Sequence, residues 1–245
     1  MHTVDVVLLP DHLGSEQILN HTLIVVDVLR ASTTIIAALE SGAAVIVPVL
    51  GVDEAREVNQ ERAGSLLCGE RGGEPPEGFV LGNSPLEYTK AIVGGQALVL
   101  TTTNGTRALS MVGDASKVLI GSITNREAVC QAARGSDVTI VCAGTLGSVS
   151  LDDSIAAGLM IERLIGMGEY EPTETASMVL RGTRSVIDEH GGMESGGILG
   201  ALRSTAHGKR LIGLGMDADV ECASRANSSA VVPVYDPETG EIRAS

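Results

Sequence analysis

Seven short runs of aliphatic residues, each closed by small polar residues, constrain this chain more than anything else in it. They are Val4–Leu9, Leu23–Asp27, Ala44–Val49, Leu66–Cys68, Ala97–Thr101, Lys117–Ile120 and Val138–Cys142. Few of them alternate apolar with polar residues. A strand that is apolar on both sides needs cover on both faces, the condition of a parallel sheet between helices. The intervening segments supply those helices: Thr33–Ser41, Asp53–Ala63, Pro85–Val93, Arg126–Ala133 and Asp153–Met167. Ser84-Pro85-Leu86-Glu87 and Thr124-Asn125-Arg126-Glu127 carry capping-box spacing at two of the starts. The pattern predicts an α/β chain with a three-layer α/β/α build and a mostly parallel sheet.

After about Glu169 the pattern changes. Thr173–Glu189 and Ile198–Ile212 read as helices joined by the glycine-rich Gly191–Gly197. Ala230–Tyr235 reads as one late strand, with a turn at Asp236–Gly240. The expected organisation is one catalytic domain over residues 1–245, with a helical C-terminal cap over about 169–228.

Charge narrows the partners. Seventeen basic against thirty-one acidic side chains give a net −14, and the only aromatics are one Phe and three Tyr. Such a field repels a phosphate backbone, and base-stacking side chains are scarce, so nucleic acid is excluded as a partner. An anionic small molecule needs a metal ion or converging arginines to reverse the field locally. No apolar stretch is long enough to span a bilayer, and Met1-His-Thr-Val-Asp carries no secretory signal. Cys68, Cys130, Cys142 and Cys222 are scattered without a Cys-x-x-Cys pair. The expectation is a cytoplasmic protein with no membrane partner and four reduced cysteines. A homodimer is expected, although no residue pattern carries it.

Because ligands of open α/β sheets bind at the carboxyl ends of strands, the residues that close each run are the site candidates. There is no Gly-x-x-x-x-Gly-Lys-Ser/Thr, and no Gly-x-Gly-x-x-Gly after a strand. Cys142 lacks the Arg of a cysteine phosphatase, since Ser148 stands there. Asp27 lacks a second acid two residues on, where Leu29 stands. What the chain offers is Asp27, Arg30, Ser32 and Thr33 at a helix start, where amides and an Arg fork suit phosphate. The plain alternative is that Ser32 or Thr33 caps the helix and Arg30 pairs with Asp27. Glu70 and Arg71 lie between glycines in Gly69–Gly73, with a surface ion-paired turn as the alternative. Glu70 would suit Mg²⁺, which takes oxygen ligands. Asn83 and Ser84 read more readily as caps than as ligand contacts. Thr101–Arg107, which includes Thr103, Asn104, Thr106 and Arg107, has the donors of an anion nest, or else forms an Asn-Gly turn. Asp152 and Asp153 open a helix, one acid facing the crevice and the other capping. The five histidines form no ligand-spaced pair and read as surface or core.

In order along the chain, VVDVLRASTTIIAAL, CGERGG, GNSPLEYT, LTTTNGTRAL, IGSITNREAV and CAGTLGSVSLDDSIAAG resemble the 2-phosphosulfolactate phosphatases. The tail GKRLIGLGMDADVECA and VVPVYDPETGEI extends the resemblance nearly to both ends. It implies an α/β/α, Mg²⁺-dependent enzyme of the kind associated with coenzyme M biosynthesis. The implied reaction is hydrolysis of (R)-2-phospho-3-sulfolactate to (R)-3-sulfolactate and phosphate. Matched motif by motif, the family's site falls on Asp27, Arg30, Ser32, Thr33, Glu70, Arg71, Asn104, Arg107 and Asp153. The glycine-rich Gly191–Gly197 does not match. On this reading Asp27, Glu70 and Asp153 hold Mg²⁺, while Arg30, Arg71 and Arg107 spread over the anionic groups. Thr103–Thr106 amides bind phosphoryl oxygens, and Asp152 or Asp153 orients the attacking water. Two other readings stand beside it: a phosphatase of another 2-hydroxy acid phosphate, which would keep all these motifs, and a non-catalytic phosphate or sulfonate binder, which would keep the Arg and Thr cluster but need no carboxylate trio.

Overall fold

The computed structural model describes residues 1–193 and 196–245. Of the glycine-rich Gly191–Gly197 segment, residues 194 and 195 lie outside that description. The strands are β1 His2–Val7, β2 Thr22–Val26, β3 Val45–Pro48, β4 Leu66–Gly69, β5 Ala97–Thr101, β6 Val118–Gly121, β7 Val138–Cys142, β8 Tyr170–Pro172, β9 Pro233–Asp236 and β10 Glu241–Ala244. The helices are α1 Ser15–Asn20, α2 Ala31–Glu40, α3 Val52–Glu61, α4 Lys90–Val93, α5 Gly105–Ser110, α6 Arg126–Ala132, α7 Leu151–Ile165, α8 Glu174–Glu189, α9 Gly197–Ser204, α10 Ala206–Gly213 and α11 Asp217–Ser224.

All ten strands join one sheet in the order β4-β5-β3-β10-β9-β6-β2-β7-β1-β8. Its sandwiching is visible within β2. Ile24 and Val26 belong to the core shared with α7 and α8, whereas Leu23 and Val25 belong to the core shared with α2 and α5. Both faces are covered, which is why the strand reads as unbroken aliphatic sequence.

The C-terminal hairpin sits in the middle of this sheet. β9 is antiparallel to β6 and β10, and β10 is antiparallel to β3. Two parallel blocks, β4-β5-β3 and β6-β2-β7-β1-β8, are therefore joined through three reversals. Sheet twist of about 20–25° per step turns β2 by roughly 100–125° relative to β5 over five steps. Carboxyl ends that a flat sheet would hold on opposite edges are thus brought toward one crevice.

Several expected elements differ in detail. Pro85–Val93 is not a single helix: a 3₁₀ turn at Pro85–Glu87 precedes the four-residue α4. The break falls at Tyr88, which is buried and donates its hydroxyl to the Gly82 carbonyl at 2.7 Å. Ser84 does not cap that turn but donates to Asp219 at 2.6 Å. Thr124 makes no capping box; the Ser122 amide is capped by Asn125 at 2.8 Å, and the Thr124 hydroxyl has no partner among the described residues. The expected Ile198–Ile212 helix divides at Thr205, whose hydroxyl accepts the Gly208 amide at 2.9 Å and starts α10. The sequence reading also missed α1, α11, β8 and β10. Among the described residues, no helix is long and apolar enough to cross a membrane.

Candidate active site

A crevice of about 250 Å³ opens where the loops after β2, β4, β5 and β7 meet α10. Asp27, Glu70, Thr103, Asn104 and Thr145 line the strand-tip side, and His207, Arg210, Leu211 and Leu214 line the cap side. Arg30 and Asn83 complete the wall.

Asp27 follows β2, and its turn is closed locally. The Ser32 amide donates to the Asp27 carbonyl, and the Asp27 amide donates to Ser32 Oγ, both at 2.8 Å. The carboxylate accepts only a long 3.4 Å bond, from the Ala31 amide to Oδ1. Oδ2 points past Gly105, where a Cβ would lie 2.9 Å from it and 2.5 Å from the Ala31 methyl. Glycine is needed there because α5 starts against this carboxylate, so Asn104-Gly105 opens a helix and does not form a hairpin turn. Burial pushes the Asp27 carboxyl up to about 6, with the Asp152 and Glu70 charges adding to the shift and His207 opposing it.

Glu70 and Asp153 are committed to backbone. Glu70 accepts the Thr103 amide on Oε1 and the Gly73 amide on Oε2, each at 2.8 Å, which ties two crevice loops together. Asp153 accepts the Val28 amide at 2.9 Å and the Gly144 amide at 3.0 Å, one on each oxygen. It does not line the crevice. Burial raises its pKa well above the usual carboxylate range, reinforced by Asp152 and Asp27. Asp152 accepts the Ser150 hydroxyl and lies 3.4 Å from His207 Nδ1. The three acids read as a cation trio do not converge. Among the described residues, no three His, Cys, Asp or Glu side chains group as a metal site.

The predicted anion contacts divide. Thr103 and Asn104 line the crevice, and Asn104 Oδ1 accepts the Leu146 amide at 3.0 Å. That bond holds Leu146 at φ +51° on the lip, mostly exposed. Ser32 serves the Asp27 turn, and Thr33 donates to the Val28 carbonyl at 2.8 Å. Thr106 bonds back to the Thr102 carbonyl at 2.8 Å. All three are buried inside the fold and do not reach the crevice. Arg71 is turned away, donating to the Glu70 and Leu50 carbonyls and to Thr101 Oγ1. Arg107 is a surface residue forked onto Asp11 at 2.7 and 2.8 Å. Of the three arginines, only Arg30 reaches the crevice. Its partner is not Asp27 but Asp219 of α11, at 2.7 Å, and a second nitrogen donates to the Gly73 carbonyl at 3.0 Å.

His207, Arg210 and Asp219 were missed from sequence. His207, read above as surface or core, is mostly buried at the crevice wall. Burial alone would lower its pKa, but the Asp152 carboxylate beside it and the Asp27 charge outweigh that and raise it. A signal was present: after the Thr205 cap, His207 and Arg210 stand three apart, on one helix face. Cys142, by contrast, is fully buried, and burial together with Asp153 and Asp152 drives its thiol pKa far upward. It is not a nucleophile.

The family model described as 2-phosphosulpholactate phosphatase matches residues 7–238. The chain is 38% identical over 217 residues to a probable 2-phosphosulfolactate phosphatase of Thermotoga maritima, covering 86% of this chain and 88% of the relative. A probable 2-phosphosulfolactate phosphatase of Clostridium acetobutylicum is 37% identical over 243 residues, 98% of this chain and 99% of the relative. One of Deinococcus radiodurans is 38% identical over 218 residues, 87% of each chain.

Proposed function

Because the chain belongs to the 2-phosphosulfolactate phosphatase family, we propose that it is a Mg²⁺-dependent phosphatase that hydrolyses (R)-2-phospho-3-sulfolactate to (R)-3-sulfolactate and phosphate. The observation that carries this reading is the pairing of the underused Asp27 carboxylate with a histidine of raised pKa across one crevice.

Charge defines the first requirement. The substrate brings phosphate, carboxylate and sulfonate to a wall that already holds Asp27 and Glu70. The Arg30 charge is spent on Asp219, leaving Arg210 and His207 as the cations facing the ligand. That balance favours an added cation. Asp27 and Glu70 are the two crevice acids that would hold Mg²⁺, an ion that needs only one or two protein carboxylates, which leaves one Asp27 oxygen for the water. When bound, Mg²⁺ supplies positive charge to the phosphoryl oxygens and helps orient water.

The chain's own groups do the rest. Water adds to phosphorus and its proton passes to the Asp27 oxygen left outside the metal contact. The P–O bond to the sulfolactate oxygen breaks as His207 delivers a proton from Nε2. Asp152 beside Nδ1 keeps that ring protonated. No covalent intermediate is invoked, since the Cys142 thiol at the end of β7 is inert and, among the described residues, no crevice hydroxyl is hydrogen-bonded to a base.

The test is phosphate release from (R)-2-phospho-3-sulfolactate, measured with Mg²⁺, after chelation, and beside a panel of other 2-hydroxy acid phosphates. Metal-dependent release that favours the sulfonated substrate is the expected result. Release undiminished by a chelator, with metal content measured as nil, overturns the metal requirement; a preference for another phosphate overturns the substrate.

A further inference from the structure

Asn83 is 5% exposed, lines the crevice and makes no side-chain hydrogen bond among the described residues. Its Oδ1 is a buried polar atom without a partner. A buried carboxamide left unpaired is costly, and native folds rarely leave one idle. The residue is not loosely placed. Its carbonyl accepts the Thr34 hydroxyl at 2.9 Å, and the next residue, Ser84, donates to Asp219, which also holds Arg30.

From Asn83 the wall continues along bonded neighbours to the cap. Arg30 donates to the Gly73 carbonyl, and Arg210 of α10 donates to the adjacent Gly72 carbonyl, each at 3.0 Å. The two guanidinium groups thus meet on consecutive carbonyls of one loop. Arg30 is neutralised by Asp219, but Arg210 has no acidic partner among the described residues. Asn83, whose NH₂ makes no hydrogen bond among the described residues, and Arg210, which gives one nitrogen to Gly72 and meets no acid, are therefore the two groups on this side with donors left for a ligand. Asp27, Thr103 and Asn104 belong to the strand tips, with Glu70 tying the two sides together.

We propose that Asn83 and Arg210 form a subsite for the substrate's second oxyanion, separate from the strand-tip end that takes the phosphoryl group. The Asn83 NH₂, which has no partner among the described residues, donates to one oxygen of the anion, and Arg210 neutralises the charge. Sulfonate and carboxylate share this chemistry. A sulfonate presents three acceptor oxygens to the two donors and is the group assigned here. The assignment rests on the proposed substrate class, but it makes a binding claim of its own.

The experiment is titration calorimetry of the Mg²⁺-loaded protein with (R)-3-sulfolactate, lactate and inorganic phosphate, each added alone. Wild type, Asn83→Ala and Arg210→Met are compared, and thermal melts report folding. Arg210 is exposed, so its variant tests the subsite even where Asn83→Ala fails to fold. The expected result is a loss of about tenfold or more in sulfolactate affinity in either variant, the scale of a hydrogen bond to a charged group. Phosphate affinity should stay within about twofold, and lactate should be affected far less than sulfolactate. Equal losses for sulfolactate and phosphate, no loss for either, or equal losses for lactate and sulfolactate overturn the assignment. No binding of sulfolactate to the wild type overturns it as well. Intact sulfolactate binding without phosphate release from the full substrate overturns the phosphatase reading alone.

Discussion

On the strand-tip side of the crevice, carboxylates are held by backbone. Glu70 reaches an amide three residues away, and Asp153 gives both oxygens to amides of neighbouring loops. On the cap side, side chains hold side chains across the chain: Arg30 meets Asp219 over a separation of 189 residues, and Ser84 meets it over 135. The first arrangement builds rigid turns that position a ligand. The second docks the C-terminal helices over those turns and completes the crevice with His207 and Arg210. Acids at the strand tips therefore differ in how far their oxygens are already occupied: Glu70 reaches a ligand only alongside its two amide bonds. Asp27 is the strand-tip acid that keeps one oxygen free.

Removing the cap's anchor should have the largest effect on stability. Arg30→Met leaves the Asp219 charge buried with no opposite charge and only the Ser84 hydroxyl against it, since both Arg30 and Asp219 side chains are under 5% exposed. Breaking a buried pair from one side costs about 3–5 kcal/mol. Urea unfolding should show that loss, with activity falling as α11 loosens from Arg30 and the cap no longer holds α10 at the crevice. A loss below about 1 kcal/mol would mean that the cap docks without this bond.

The smallest effect belongs to Arg107→Lys. This residue pairs with Asp11 at the surface, both side chains more than 40% exposed. Such pairs contribute about 0–1 kcal/mol, so stability and kcat/KM should stay near wild type. A tenfold fall in kcat/KM would return Arg107 to the substrate and undo the division between the two walls.

The strand tips were legible in sequence because each aliphatic run ends where the sheet ends, so Asp27, Glu70, Thr103 and Asn104 fall on the crevice by strand order alone. Side-chain direction was not legible. Arg71 and Arg107 sit in the right loops yet point at carbonyls and at Asp11, and local sequence says nothing about which partner wins. Ser32, Thr33 and Thr106 are spent on their own turns, as small hydroxyl residues commonly are. The cap was the least legible. His207 becomes a crevice residue only because α10 docks beside Asp152, a contact set by packing between distant elements. The β9–β10 hairpin posed the same problem, since no local pattern announces insertion between β3 and β6.

Asp27→Asn bears most directly on whether Asp27 carries chemistry while Asp153, whose oxygens both serve backbone amides, carries structure. Turnover and stability are to be measured on the same protein, with unfolding followed in chelator at pH 4 and pH 7. Turnover should fall by about 10²-fold or more, the scale of losing a positioned acid–base group. Stability should move the other way. The folded pKa of about 6 lies above the ordinary 3.8, so wild type meets no ionisation penalty below about pH 4 and acquires it as pH rises through 6. Variant and wild type should therefore unfold alike at pH 4, with the variant more stable at pH 7 by an amount on the order of 3 kcal/mol. A variant that keeps its turnover, or one that loses stability at pH 7 while its folded fraction works normally, would make Asp27 another structural acid and contradict the account.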